Sequence, residues 1–215
     1  MKKYQIFLIV LTIIVVVAGL VLLKYHQAGR SDDALLNINS DIQMNETQSQ
    51  LYEEIKKNFA SDPDAYLFRL GRLKQDLGDY AGAIEIYEKI HENKPEDLLP
   101  LINTGSIYFD TGRYEEAEKI QLEIVSINYK WLNAYQELLM IYQYHLKDKK
   151  ATLESLMLEA QKNSPELEKE FNVLFAKYYD DLMNDNAKAI EYYGKILEAN
   201  PDDSGAKQRL AELKK

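Results

Sequence analysis

The sequence contains no cysteine, which removes disulfides, thiolate metal sites and cysteine nucleophiles together. It is also poor in proline and glycine, with five and nine in 215 residues, so long regular elements are favoured over many turns. Histidine occurs three times, at His26, His91 and His145. The three are far apart, and none belongs to a close His pair or a His–Glu motif suited to a metal. No strand-like alternation is present, so no glycine-rich loop follows a strand to cradle a phosphate. The chain is expected not to be an enzyme, with no catalytic, cofactor-binding or metal-binding residue.

Acidic residues are missing from the first thirty positions, where Lys2, Lys3, Lys24 and Arg30 contribute +4. The formal net charge is −9, so residues 31–215 carry −9 − 4 = −13. A body that acidic repels phosphate backbones and anionic headgroups, and nucleic acid is not an expected partner. Residues 6–23 carry no charge at all, with only Thr12 and Gly19 interrupting the large apolar run. As a helix this stretch spans roughly 27 Å, close to a bilayer's hydrocarbon core. The reading is a short tail at 1–5, a transmembrane helix at 6–23 and a polar linker at 24–44. A cleaved signal peptide is the alternative. Its apolar region would be about 7–15 residues, followed by a small-residue cleavage pattern. Here the run ends Val21-Leu22-Leu23-Lys24-Tyr25 with no Ala-x-Ala triplet. Lys2 and Lys3 favour a cytoplasmic N-terminus by the positive-inside rule. The expectation is thus a single-pass protein of a bacterial inner membrane, with its soluble domain outside the cytoplasm. Within the linker, Leu35, Leu36 and Ile38 are the positions that would dock on the domain or form a weak helix.

Internal spacing is the most informative feature. Gly71 and Gly105 lie 34 residues apart, and Gly78 and Gly112, Tyr80 and Tyr114, and Ala83 and Ala117 keep the same interval. The run from Gly78 to Ile90, closed by Pro95, has small residues at Gly82 and Ala83 and large ones at Tyr87 and Ile90. On these residues the chain resembles the tetratricopeptide repeat family, whose period is 34. The resemblance implies an all-α chain, a helical-repeat solenoid of about four units with flanking helices behind the transmembrane segment. Small residues would sit where the two helices of a unit cross. Gly78 and Gly112 would end first helices in the left-handed conformation. Asp62-Pro63 and Ser164-Pro165 look like N-caps followed by proline at the first helical position.

The expected boundaries are a flanking helix at 45–62, units at 63–97, 98–131, 132–164 and 165–203, and a capping helix at 204–215. The later units depart from the pattern. Leu139 and Phe175 stand where a small residue is usual, Leu146 replaces the turn glycine, and the last unit has a longer turn through Asn184-Asp185-Asn186.

By resemblance, first helices line an inner groove. Unit one would present Phe68, Arg72 and Gln75, and unit two Ile102, Ser106 and Phe109. Unit three would present Gln136, Met140, Gln143 and Tyr144, and unit four Asn172, Ala176 and Tyr179. Of the sixteen tyrosines, Tyr142 and Tyr178 fall on core positions, whereas Tyr144 and Tyr179 fall on groove positions. A basic clamp for C-terminal carboxylates is excluded, because Phe68, Asn133 and Glu137 stand where it would need Lys, Lys and Arg. Acidic runs such as Glu115, Glu116 and Glu118 read as a solvated helix face. The expected function is a membrane-tethered scaffold or chaperone-like adaptor that binds protein or peptide through the groove. The alternative is a structural subunit of a membrane or envelope-biogenesis complex. Neither reading requires a cofactor, and the oligomeric state stays open.

Overall fold

The computed structural model describes residues 34–39 and 41–215. The expected tail at 1–5, the span at 6–23 and the linker's first ten residues lie outside them. Among the described residues there is no strand, and no helix is long and apolar enough to cross a membrane. Ten helices follow in order: α1 (Glu46–Asn58), α2 (Pro63–Asp76), α3 (Tyr80–Asn93), α4 (Leu98–Asp110), α5 (Tyr114–Ile127), α6 (Leu132–Tyr144), α7 (Ala151–Asn163), α8 (Glu168–Lys177), α9 (Asn186–Ala199) and α10 (Ser204–Leu213). The chain divides between Ile86 and Tyr87, inside α3, into two compact units.

In the N-terminal unit α1 begins with a reciprocal cap. The Asn45 carboxamide oxygen accepts from the Gln48 amide at 2.9 Å, and the Asn45 amide donates to Gln48 Oε1 at 3.0 Å. Helix α2 starts at Asp62-Pro63 as its sequence dictates. Asp62 Oδ1 accepts from the Ala65 amide at 3.1 Å, and proline costs nothing at a position whose N–H has no helical partner. The turn after α2 places Gly78 at φ +78°. Part of the supposed spacer is folded onto this unit. Leu35 is 5% exposed, Tyr52 Oη donates to the Leu36 carbonyl at 2.7 Å, and the buried Lys74 Nζ donates to the Asn37 carbonyl at 2.5 Å and to Asp79 at 2.8 Å.

In the C-terminal unit, neighbouring helices pack in sequence: α4 on α5, α5 on α6, α6 on α7, α7 on α8, α8 on α9 and α9 on α10. Leu138, Tyr142, Met157, Phe171 and Leu174 are buried in its core. Gly112, at φ +76°, ends α4 where any other residue would be strained.

Three local expectations are corrected. Ser164 does not cap a helix with its side chain. Its hydroxyl donates back to the Ala160 carbonyl at 2.5 Å, and Pro165–Leu167 form a 3-10 turn before α8 starts at Glu168. The longer turn of the last unit is absorbed by a π-helix over Tyr178–Met183, closed by Asn184 at φ +55°. Glu118, read as part of a solvated face, is buried. It accepts from Tyr142 Oη at 2.8 Å and pairs with Lys149.

Candidate peptide-binding cleft

Helices α4 and α6 each turn one face toward a cleft of about 410 Å³. From α4 come Ile102, Ser106 and Phe109, three of the positions assigned to the inner groove, and from α6 comes Met140. The structure thus brings the groove residues of the second and third units to one place. Gln136, Gln143 and Tyr144 sit on α6 but do not line the cleft. Tyr144 is 63% exposed and its ring meets His145 edge-on at 6.4 Å. Phe68, Arg72 and Gln75 lie on α2, in the N-terminal unit, with Arg72 exposed and the other two half-buried.

The fourth unit does not supply groove residues. Asn172, Ala176 and Tyr179, expected on the open face, are 6%, 1% and 4% exposed. Helix α8 packs against α6, α7 and α9, which leaves Asn172 and Ala176 covered. Tyr179 is turned inward by the π-helix. Within that π-helix Tyr178, Tyr179 and Asp180 are all buried, as Leu174, Phe175 and Ala176 are in α8 just before it. The Tyr179 hydroxyl donates to Glu154, and its ring lies 5.5 Å from Tyr192 in a stack.

The cleft contains more than its first-helix residues. Trp131, in the turn before α6, and Asp110, at the end of α4, also line it, as do Asn133 and Glu137 on α6. Burial raises the Glu137 carboxyl above the ordinary range, and the Asp110 charge raises it further. Neither carboxylate has a cation within ion-pair distance among the described residues, and Asp110 receives only a long hydrogen bond from Ser106 Oγ at 3.4 Å. Gln121, from the second helix α5, reaches the same cleft. It can do so because α4 carries Gly105 opposite: a Cβ there would lie 2.9 Å from Gln121 Nε2 and 3.2 Å from Ile120 Cγ2. Gly105 therefore makes room for an amide as well as for a helix crossing.

Beside the cleft, Phe109 belongs to an aromatic group. Its ring meets Tyr114 edge-on at 5.6 Å and His145 at 6.0 Å, while Tyr114 and His145 stack at 3.4 Å. Phe109 is consequently half-buried, with one edge in the protein and one on the cleft.

Sequence reasoning missed Asp110, which follows Phe109 at the end of α4, as well as Gln121 and Trp131. Gln121 lies on a second helix and Trp131 in a turn, and only first helices were expected on the groove. Asn133 and Glu137 had been weighed only as failures of a basic clamp.

The helical pairing and the 34-residue interval agree with known proteins. Models of the tetratricopeptide repeat match the chain over residues 75–139 and 170–203. No curated protein matches its sequence. Among solved structures, a MamA protein is similar at 23% identity and a TM-score of 0.51, covering 71% of this chain and 81% of that one. A tetratricopeptide repeat protein from Parabacteroides merdae ATCC 43184 is similar at 16% identity and a TM-score of 0.57, covering 77% of this chain and 64% of that one. At such identities the likeness extends to the fold alone. The two family matches fall on residues 75–139 and 170–203, and the described residues around them are helical and carry no strand.

Proposed function

We propose that this chain is a non-enzymatic interaction scaffold, tethered to a membrane through residues 6–23, which holds a peptide segment of a partner protein in the α4–α6 cleft. The carrying observation is the cleft itself. It is concave and about 410 Å³ in volume, and it joins apolar and aromatic side chains to carboxylates and amides that have few partners of their own. Peptide sites on helical arrays have this composition, with apolar anchors for side chains and a few polar groups for orientation. Met140, 39% exposed on its rim, offers apolar contact that costs little in folding and gains on binding. The uncharged apolar run and the lysines before it support the tether, with the array on the non-cytoplasmic side.

Site-specific photocrosslinking in intact cells tests the reading. A photoreactive residue in place of Met140 should give protein adducts, and one at the exposed Glu198 on α9 should not. Adducts that are identical from both sites, or absent from Met140, would refute capture in the cleft.

A further inference from the structure

We infer that the cleft is specific for an arginine side chain of the captured peptide. The inference rests on the peptide-capture reading and refines it.

Two carboxylates, Asp110 and Glu137, line one cleft, and no Lys or Arg lines it with them. Some buried carboxylates of this unit are neutralised by a cation, as Glu118 is by Lys149 and Asp180 by Arg209, and the cleft supplies no such cation. Residues 87–215 hold seventeen cations and twenty-four anions, a balance of −7, so the surrounding field also favours a positive ligand.

The amide of Gln121 points the same way independently. Gln121 is only 7% exposed, lines the cleft, and hydrogen-bonds to no described residue. Its carboxamide is not sealed off from solvent as an unpaired buried group would be. Here its open side is the cleft. It can donate to a peptide carbonyl or accept from a guanidinium, and Asn133 offers the same pair of functions from α6.

Guanidinium fits these walls better than ammonium does. Trp131 and Phe109 line the cleft, and aromatic rings attract a planar cation more favourably than aliphatic side chains do. The five donors of the fork match two carboxylates and an amide at once, whereas a lysine brings three donors and no plane. Ile102 and Met140 would take the apolar residues flanking the arginine.

Trp131 is the single tryptophan of the chain, so its emission reports on this cleft alone. The test titrates the full chain with an end-blocked pentapeptide holding one arginine between two leucines, and with its lysine, citrulline and glutamate counterparts. Emission should shift and saturate with the arginine peptide, respond more weakly to lysine, and stay flat with citrulline and glutamate. Glu137→Gln and Asp110→Asn, each checked for folding by thermal unfolding, should each weaken the arginine peptide roughly tenfold or more, as expected for losing a charge-assisted hydrogen bond. Calorimetry of the same titrations gives affinities that do not depend on the indole. Equal affinity for arginine and citrulline peptides, or unchanged affinity in both folded variants, overturns the specificity. Free arginine amide or spermidine binding as tightly as the peptide also overturns it, by making this a small-cation site. Loss of specificity with Met140 crosslinks intact would leave peptide capture standing, whereas loss of the crosslinks would remove capture itself.

Discussion

Arg209 grips Asp180 with two prongs, Nε on Oδ2 at 2.6 Å and Nη2 on Oδ1 at 2.7 Å. The pair joins the last helix to the π-helix 29 residues earlier, and Tyr193 Oη adds a third bond to Asp180 at 3.0 Å. Asp180 is buried while the Arg209 side chain stays 43% exposed, so the carboxylate is the partner that depends more on the bond.

Asp180→Ala should therefore destabilise the C-terminal end by about 2 kcal/mol, from the lost charge-assisted bonds and the stranded tyrosine hydroxyl. Amide exchange of α10 measures it, and exchange rates equal to the parent's would refute it. The Arg209 hydrogen bond holds the Asp180 carboxyl below its ordinary 3.8, against the opposing effect of burial. Its contribution is present above pH 3.8 and is lost as pH falls through the lower folded value. An acid titration of α10 protection should show that step in the parent protein and lack it in Asp180→Asn.

Glu137 behaves in the opposite sense. Burial and then the Asp110 charge raise its carboxyl above 4.5, so folding shifts it toward the neutral form relative to the unfolded chain. The associated stability is present below pH 4.5 and is lost as pH rises through the folded value. Glu137→Gln should accordingly melt higher than the parent at neutral pH while binding the arginine peptide less well. A lower melting temperature would show that the carboxylate supports the fold and is not held open for a ligand.

Truncations around the cleft should separate surface from core. Tyr144→Ala removes a mostly solvated ring and should change stability by roughly 0.5 kcal/mol or less. Phe109→Ala should cost about 1–2 kcal/mol, because the ring is half-buried against Tyr114 and His145. Ala117→Leu should cost about 1–3 kcal/mol by overpacking a site that is 1% exposed. Denaturant unfolding gives all three values, and a reversed order of Tyr144 and Phe109 would contradict the packing described.

Tyr142→Phe isolates one buried polar contact. The hydroxyl donates to Glu118 at 2.8 Å, and its loss leaves that carboxylate with Lys149 alone. The expected cost is about 1–2 kcal/mol. A phenylalanine variant as stable as the parent would show that Lys149 suffices.

Much of the fold was legible because the repeat constrains the backbone. Gly78 and Gly112 could be assigned from spacing, since a left-handed residue is needed at the same point of each unit. Tyr142 and Tyr178 likewise fall into the core on periodicity. Tyr179 did not follow, because its ring is covered by Phe175 and Tyr192 and its hydroxyl by Glu154, contacts that the repeat spacing does not specify. Gln121 escaped for a different reason. Whether a polar residue on a second helix points to solvent or reaches past its neighbour depends on a missing side chain opposite, here at Gly105.

The attachment of Leu35, Leu36 and Asn37 to the first unit makes part of the expected linker a portion of the folded domain. A leash that reads as twenty-one residues in sequence, from 24 to 44, has its later portion fastened down at Tyr52 and Lys74. Shortening the chain to begin at residue 45 would strip the Lys74 ammonium of its carbonyl and uncover the bed of Leu35. A shortened chain that keeps these contacts therefore has to begin no later than residue 34.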